Sequence, residues 1–486
     1  MGTNPAWAER RVVGLVLGLL LFIVLLVSPA PQGMPPTAWS VAAVAILMAT
    51  WWITEAIPLA ATALLPIVLF PSLGVMPTST TTTAYANHLI YLFMGGFLIA
   101  MAMQKWNLHR RIALYIIHRV GVSPSRIILG FMLATAFLSM WISNTATAMM
   151  MLPIALAVIN QLAENKAPTA DAQGDTTPFG TALMLGIAYA ASIGGVATLI
   201  GTPPNAILAG VVERLYDQRI SFAAWMAFGL PLSLVMLGIA WFYLTRLAYP
   251  ITHETVPNVT ELISKALAEL GPMSRQERGI ALVFAAVAIS WIGRGLFDIP
   301  GLKGVSDASI AMAGALLLFV IPANLSKREF LLDWPTAVKL PWDILILFGG
   351  GFALAQGFSD SGLTHWIVAQ LSVLQGVQLV VLILVVTLVV IFLTEVTSNT
   401  ATATLFIPVL GALATAMDVQ PLSLMVPAAV AASYAFMLPV ATPPNAIVFS
   451  SRYITIPQMA RTGLWLNLLA SLVITAFVML LLPVIQ

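Results

Sequence analysis

The most regular feature of the chain is a series of long apolar runs separated by short polar segments. Runs such as LVLGLLLFIVLLV, MAGALLLFVI and LVVLILVVTLVVIFL are nearly free of ionisable residues, and with their flanks they match bilayer-spanning helices. Only helices or closed barrels satisfy every backbone polar group in lipid, and the period-2 alternation of barrel strands is absent. The pattern therefore predicts an all-α polytopic membrane protein.

The apolar runs divide into about eleven transmembrane helices and two hairpins. The helices are predicted near residues 11–28, 38–57, 58–73, 85–104, 178–212, 222–246, 279–297, 306–322, 341–358, 420–451 and 462–484. Of these, 178–212 and 420–451 contain proline pairs and are predicted as broken helices. Two further segments, near 124–160 and 377–415, are predicted as re-entrant hairpins. The first apolar run lacks a small-residue cleavage site, so it is interpreted as a retained span.

The composition supports a membrane protein and excludes several other classes. Of 486 residues, 60% are hydrophobic and only 8% charged, which is too little charge for the surface of a soluble domain. The net charge of +2 does not suggest a nucleic acid partner. Without cysteine the chain forms no disulfide or Cys-ligated metal site, and its redox compartment stays open. There is no GxxxxGK[ST] phosphate loop, so ATP does not drive the protein directly.

Three motifs occur twice, in the same order. LFMGGF at 92–97 is echoed by LFGGGF at 347–352, and SNTAT from Ser143 is repeated from Ser398, both at an offset of 255 residues. GTPPNAI from Gly201 is echoed by ATPPNAI from Ala441 at an offset of 240, and the polar insert ENKAPTADAQGDTTPFG accounts for the difference. The chain is therefore predicted to consist of two related halves.

The distribution of basic residues predicts the orientation. With the N-terminus in the cytoplasm and the C-terminus outside, the cytoplasmic segments hold 17 of the 21 Lys and Arg residues, which leaves Arg214, Arg219, Arg294 and Lys303 outside. In this arrangement the first hairpin opens to the inside and the second to the outside. The two halves are therefore predicted to be inverted repeats, which are typical of secondary transporters with a site at the helix breaks.

The motifs carry the chemistry of a cation site and an anion site. Proline pairs should unwind both Thr-Pro-Pro-Asn segments, and freed carbonyls beside Ser, Thr and Asn oxygens suit a small hard cation such as sodium. Helix N-termini that restart after each break suit an anion.

The charges near the motifs indicate how the two sites depend on each other. No Lys or Arg lies between Lys339 and Arg452, and only Lys166 lies between Arg126 and Arg214. A dianion bound there would need co-bound cations to neutralise it, which is the thermodynamic basis of symport.

The paired SNTAT and GTPPNAI/ATPPNAI motifs, with the early phrase WWITEAIPLAATALLP, resemble the divalent anion/sodium symporter family, including its bacterial sodium/dicarboxylate members, over almost the whole chain. The resemblance implies a homodimer that works as an elevator, in which a transport domain moves against a scaffold domain. The expected parts are 1–122 (scaffold, first half of repeat 1), 123–250 (transport, first hairpin and broken helix), 251–375 (linker and second scaffold part) and 376–486 (transport, second hairpin and broken helix).

The resemblance also implies the site residues. The substrate carboxylates would contact a set drawn from both halves, namely Asn144, Thr145, Asn399 and Thr400, with Thr202, Thr442 and Pro443 nearby. The first sodium would be held by Ser139, Ser143, Asn144 and the Gly201 loop, and the second by Thr394, Ser398, Asn399 and the Ala441 loop. Ser139 and Ser143, like Thr394 and Ser398, are four residues apart, which is about one helical turn.

The leading hypothesis is sodium-coupled symport of a C4-type dicarboxylate, such as succinate, malate or fumarate, across the cytoplasmic (inner) membrane. Sodium is then a co-transported ion, and no organic cofactor is expected. The alternative is sodium-independent exchange of one dicarboxylate for another. An ion channel would need a continuous pore, and an enzyme is the weakest hypothesis, since no catalytic constellation lies in the spans.

Three smaller features complete the expectations. Glu395 lies in the second predicted hairpin, where a proton relay and a structural hydrogen bond within the hairpin both remain open. The glycine pairs Gly95–Gly96 and Gly350–Gly351 are predicted to permit close helix packing. The segment TSTTTT from Thr78 is predicted as an external loop.

Overall fold

A computed structural model describes residues 5–121, 123–164, 177–251, 259–296, 304–371 and 376–485. Most of the polar insert with Lys166, and Lys303 of the predicted outer side, lie outside these ranges. The described chain is almost entirely helical, as the apolar runs predict, and its two short strands form one small antiparallel pair.

Five helices precede the first repeated motif. They are α1 (Pro5–Val27), α2 (Pro36–Thr54), α3 (Leu59–Thr62), α4 (Leu65–Ser72) and α5 (Thr78–Thr83), and a 3-10 turn (Ala84–Ala86) follows. The prediction of a loop at TSTTTT was wrong, because the segment forms α5. Its threonines fit a helix by bonding their hydroxyls to the preceding turn, as Thr82 does with Thr78 O at 3.0 Å.

The rest of the chain repeats one order of helices. The first set is α6 (His88–Lys105), α7 (Leu108–Val120), α8 (Pro124–Ser139), α9 (Asn144–Glu164), α10 (Pro178–Val196), α11 (Pro203–Tyr216) and α12 (Phe222–Phe242). Between the sets lie α13 (Val259–Glu269), α14 (Arg275–Leu296), α15 (Asp307–Val320), β1 (Pro322–Asn324), β2 (Glu329–Phe330) and α16 (Trp334–Ala337). The second set is α17 (Trp342–Asp360), α18 (Leu363–Leu371), α19 (Leu379–Thr394), α20 (Asn399–Ala416), α21 (Leu422–Ser433), α22 (Pro443–Phe449) and α23 (Ile456–Leu481).

Nine helical segments of the described chain are long and apolar enough to cross a membrane. The predicted span at 58–73 is instead divided into α3 and α4, and α15 and α21 are shorter than a full crossing. At 1.5 Å per residue the 14 residues of α15 extend about 21 Å, against a hydrocarbon core of about 30 Å. Eleven crossings, which count these shorter helices, therefore remain a prediction.

The two predicted hairpins are helix–turn–helix units. In the first, α8 ends at Ser139 and α9 begins at Asn144; in the second, α19 ends at Thr394 and α20 begins at Asn399. The repeated Ser-Asn-Thr phrase therefore starts the second helix of each hairpin.

The two halves interlock at the helices that follow the breaks. Helix α11 of the first half packs against α20 and α21, whereas α22 of the second half packs against α9 and α10. Polar contacts cross the same boundary: the Tyr189 hydroxyl donates to Phe436 O at 2.9 Å, and the Thr181 hydroxyl donates to Tyr453 O at 3.0 Å. The hairpins and breaks of both halves thus form one packed unit.

Several close helix contacts in the fold depend on glycine. A Cβ at Gly95 would lie 2.7 Å from the Ala311 backbone, and one at Gly350 would lie 2.3 Å from Ala63 O, so the packing role of both glycine pairs is confirmed. A further close contact joins the first hairpin to the first broken helix, where a Cβ at Gly194 would lie 2.3 Å from Ala136 O.

Gly194→Ala tests this packing. Because the opposing atom is backbone and cannot rotate away, we expect the substitution to cost about 1–3 kcal/mol and to lower the melting temperature in detergent. Gly238→Ala is the matched control, since nothing lies within 4 Å of a Cβ there. Equal melting temperatures for the two variants would contradict the close contact of α8 with α10.

Candidate functional site

The tip of the first hairpin brings three oxygens together. The Ser139 hydroxyl oxygen lies 2.5 Å from Asn144 Oδ1 and 2.7 Å from Ala191 O, a carbonyl near the end of α10. Ser139 is fully buried. A hydroxyl has one proton, so it can donate to only one of these two acceptors at a time. The arrangement therefore leaves an oxygen-rich corner at the start of α9.

The loop after α10 adds a fourth oxygen to this corner. A Cβ built on Gly195 would lie 2.8 Å from Asn144 Oδ1 and 3.1 Å from Gly201 O. Three of the predicted ligands of the first sodium, Ser139, Asn144 and Gly201, are thus brought to one place. Ser143 lies in the turn, where its hydroxyl accepts a 3.3 Å hydrogen bond from Ala146 N. Gly195 was not predicted from the sequence, although the GG pair before the break is a signal for close backbone approach.

The second hairpin reproduces the corner. The Thr394 hydroxyl oxygen lies 2.7 Å from Asn399 Oδ1 and 3.0 Å from Ala432 O. Ser139 and Thr394, like Asn144 and Asn399, are 255 residues apart, the same offset as the motifs. Two of the predicted ligands of the second sodium therefore meet. In the described part of the chain, no hydrogen bond joins Ser398 or Ala441 to them.

The helix breaks lie before the prolines, not on them. Residues 197–202 and 434–442 are unwound, while Pro203–Pro204 and Pro443–Pro444 begin α11 and α22. The expectation of unwound Thr-Pro-Pro-Asn segments was therefore wrong. Proline is well tolerated at the first helical positions, where its missing N–H would have no partner inside the helix.

A repeated asparagine holds each break in shape. Asn205 Nδ2 donates to Thr198 O at 2.8 Å, and Asn445 Nδ2 donates to Ala435 O and Leu438 O, both at 2.9 Å. Both side chains are fully buried, and in both halves the amide reaches back seven residues. These two residues were not predicted from the sequence, although both are the final Asn of the repeated TPPN phrase.

The available helix N-termini are those of the hairpins. Because α11 and α22 begin with two prolines, they lack the first two N–H groups that would face an anion. Helices α9 and α20 begin instead with Asn-Thr, and so offer those N–H groups together with the side chains of Asn144, Thr145, Asn399 and Thr400. The expectation that the breaks supply the anion-binding N-termini is corrected accordingly.

The remaining predicted substrate residues differ in exposure. Thr202 is 2% exposed and its hydroxyl lies 3.4 Å from that of Ser433 in the other half. Thr442 is 4% exposed, whereas Pro443 is exposed at the start of α22. No hydrogen bond joins Thr145 to Thr400 among the described residues, so the structure places them at the two tips without linking them.

One basic side chain reaches a hairpin tip from elsewhere in the fold. Arg10 of α1 donates to Ile53 O at 2.6 Å and to Val396 O in the turn of the second hairpin at 3.4 Å. It binds backbone carbonyls and none of the motif side chains. The motif segments themselves contribute no Lys or Arg, as the sequence indicates.

Two helical hairpins, each tied to a broken helix of the same half and packed against the other half, define a secondary membrane transporter rather than an enzyme. Residues 9–485 match the family model of the sodium:sulfate symporter transmembrane region. The chain belongs to this family, which is the divalent anion/sodium symporter family that its motifs resemble.

Similar proteins and structures agree with this placement. The chain is 47% identical to the sodium-dependent dicarboxylate transporter SdcS of Staphylococcus saprophyticus over 488 residues, which covers 99% of this chain and 93% of that protein. SdcS of Staphylococcus aureus (strain bovine RF122) is also 47% identical, over 99% of this chain and 92% of its own.

Two solved structures share the fold at 12% identity. The YdaH transporter of Alcanivorax borkumensis has a TM-score of 0.55 over 97% of this chain and 96% of its own. MtrF of Neisseria gonorrhoeae has a TM-score of 0.53 over 98% of this chain and 95% of its own.

Thr394→Val and Thr394→Ser test whether the second corner binds a cation. Valine keeps the shape of threonine but removes the oxygen, so we expect it to reduce the sodium-induced rise in melting temperature at sub-saturating sodium to the part that the first corner contributes. Serine keeps the oxygen and should preserve most of the rise. A wild-type sodium response in Thr394→Val would exclude this hydroxyl as a ligand.

Proposed function

We propose that this protein is a sodium-coupled symporter of C4-type dicarboxylates, such as succinate, malate and fumarate, in the cytoplasmic membrane. The observation that carries the proposal is the pair of matching corners, each with a hydroxyl, an amide oxygen and a backbone carbonyl. Oxygen groups of this kind are the ligands that a small hard cation prefers.

The geometry of each corner suits an ion that binds reversibly. With a cation present, the Asn144 and Asn399 amides present Oδ1 to it, and each hydroxyl donates its proton to the backbone carbonyl. Without a cation, rotating the amide by 180° would bring Nδ2 to the hydroxyl as a donor. Sodium binding would therefore orient the amide, and the same amide is then available to the substrate.

The hairpin N-termini supply the anion site. Helix dipoles and free N–H groups contribute only fractions of a charge, and the motif segments hold no basic side chain. Two substrate carboxylates would therefore bind well only beside co-bound sodium. The relatives at 47% identity are named sodium-dependent dicarboxylate transporters, which supports both the ion and the substrate class.

The membrane potential would drive such a symporter if more than two sodium ions accompany each dianion. Each net positive charge that moves inward gains roughly 2.3 kcal/mol per 100 mV.

We also propose that the interlocked unit moves as an elevator within a homodimer, as the family resemblance implies. In this proposal residues 123–250 and 376–486 form the transport domain, and 1–122 and 251–375 form the scaffold with its linker. The first helix of each hairpin has 16 residues, about 24 Å, which fits re-entrant hairpins that do not cross the bilayer. The orientation is the predicted one, with the N-terminus in the cytoplasm and the C-terminus outside.

Uptake of labelled succinate into liposomes tests the proposal. We expect uptake by the purified protein with an inward sodium gradient and none when potassium replaces sodium on both sides. Equal uptake in the two salts would contradict sodium coupling, and preloading with unlabelled dicarboxylate would then reveal exchange. No uptake in either salt would contradict the choice of substrate.

Asn144→Ala and Asn399→Ala test the site in the same assay. Each should abolish sodium-driven uptake while the protein stays folded, because each removes an oxygen at the start of a hairpin helix. Asn160→Ala is the matched control, since Asn160 lies on α9 near its far end and contacts Tyr453. Near-normal uptake by either site variant would remove the proposed site.

A further inference from the structure

Glu395 is a buried carboxylate whose partners lie outside its own hairpin. It follows α19 directly, is 3% exposed, and accepts hydrogen bonds from three successive backbone N–H groups. These are Phe436 N at 2.7 Å, Met437 N at 2.9 Å and Leu438 N at 3.1 Å, all in the second break. Asn467 Nδ2 of α23 donates a fourth at 2.8 Å. The expectation of a bond within the hairpin is therefore corrected.

The carbonyl groups of the same peptide segment also accept hydrogen bonds. Asn445 Nδ2 binds the carbonyls of Ala435 and Leu438, and the Tyr189 hydroxyl binds that of Phe436 at 2.9 Å. Since the N–H and C=O of a trans peptide point in opposite directions, the break is fixed from both sides. All four groups that contact the carboxylate are donors, which match an ionised carboxylate that can only accept.

In the first half, the hairpin tip is attached to the break without a charged side chain. The residue 255 positions before Glu395 is Met140, and there the Thr198 hydroxyl donates to Met140 O at 2.5 Å. Both hairpin tips are thus tied to the break of their own half, but only the second tip carries a formal negative charge. The four partners of Glu395 are neutral, so its charge is not balanced by an ion pair in the described chain. Burying an uncompensated charge is costly.

Glu395 is also next to a proposed sodium ligand. Thr394 binds Ala432 O in the last turn of α21, just before the second break, and Glu395 binds residues 436–438 within the break. Two neighbouring side chains therefore fix the end of α21 and the first residues of the break that follows it. Ala441, whose loop is expected to complete the sodium site, lies in the same unwound segment and bonds to Leu438 O through its N–H at 3.2 Å.

We propose that Glu395 is a positioning residue of the second sodium site. It orients the 436–438 backbone, and through it the Ala441 loop, and its charge raises the affinity of the adjacent site for a cation. A sodium ion bound there would in turn supply the positive charge that the carboxylate lacks. This inference rests on the proposed sodium-coupled transport.

Glu395→Gln tests the inference against a matched control. The glutamine amide offers one acceptor oxygen and places an NH₂ group against backbone donors, so it should loosen the break and remove the charge. Glu277→Gln is the control, because Glu277 is an equally buried carboxylate, 4% exposed, that accepts from Arg111 at 2.7 Å and from Ser274 N at 2.7 Å. None of its partners belongs to the hairpins or the breaks.

The readout is the sodium dependence of succinate uptake, measured separately from the succinate dependence at saturating sodium. For Glu395→Gln we expect the half-saturating sodium concentration to rise about tenfold or more, the usual effect of losing a group that supports metal ligands. The succinate KM at saturating sodium should change little. Glu277→Gln should leave both values as in the wild type. A purely structural role for Glu395 would lower the maximal rate without shifting the sodium dependence.

Asn467→Ala provides a second variant if Glu395→Gln does not fold. It removes one of the four donors, so it should raise the half-saturating sodium concentration in the same direction but by less. Wild-type sodium dependence in whichever of the two variants folds would overturn the inference while leaving sodium symport intact. If wild-type uptake itself ignores sodium, the proposed function fails instead.

Discussion

A helix that is interrupted inside an apolar core exposes peptide groups that must find partners there, and leaving one unpaired costs about 1–3 kcal/mol. This chain interrupts two helices in its core, at residues 197–202 and 434–442. Asn205 and Asn445 bond to the carbonyls of the breaks. On the hairpin side, Thr198 of the first break donates to Met140 O, and Thr394 donates to Ala432 O at the end of α21. The hairpin tips therefore lie beside the breaks, where hydrogen bonds join the two.

The same hydrogen bonds that stabilise the ends of the broken helices also bring together the oxygens of the proposed sodium sites. Ser139 and Thr394 bind the ends of α10 and α21, and the same hydroxyls lie against the amides of Asn144 and Asn399. Polar groups that stabilise an interrupted helix are therefore the groups that we propose as cation ligands. This explains why the polar phrase occurs once in each half, at the start of the second hairpin helix.

Much of this architecture could be predicted from local patterns. The apolar runs predict the helices, and the repeated motifs predict the duplication and the positions of the hairpin tips. The offset of 255 residues pairs Ser139 with Thr394 and Asn144 with Asn399 before any contact is known. These features depend on residues close together in the chain or on exact repetition.

Other features depend on contacts between distant residues and could not be predicted. The partners of Glu395 are 41 to 72 residues away in the sequence. The repeat gives no guide to them, because the first half has Met140 at the corresponding position. Gly195 matters because of what approaches it, and its second-half counterpart near Ala435 is not glycine. The prediction of unwound Thr-Pro-Pro-Asn segments failed because the effect of proline depends on its position. Proline in the first turn is compatible with the start of a helix, whereas proline further along breaks one.

We propose that each half of the chain builds one sodium site. Equilibrium binding of radioactive sodium to the purified protein tests it most directly, without assuming a substrate. We expect two saturable sites per chain in the wild type, and one in a variant that lacks either the Ser139 or the Thr394 hydroxyl. Unchanged binding after both hydroxyls are removed, or no saturable binding in the wild type, would contradict it.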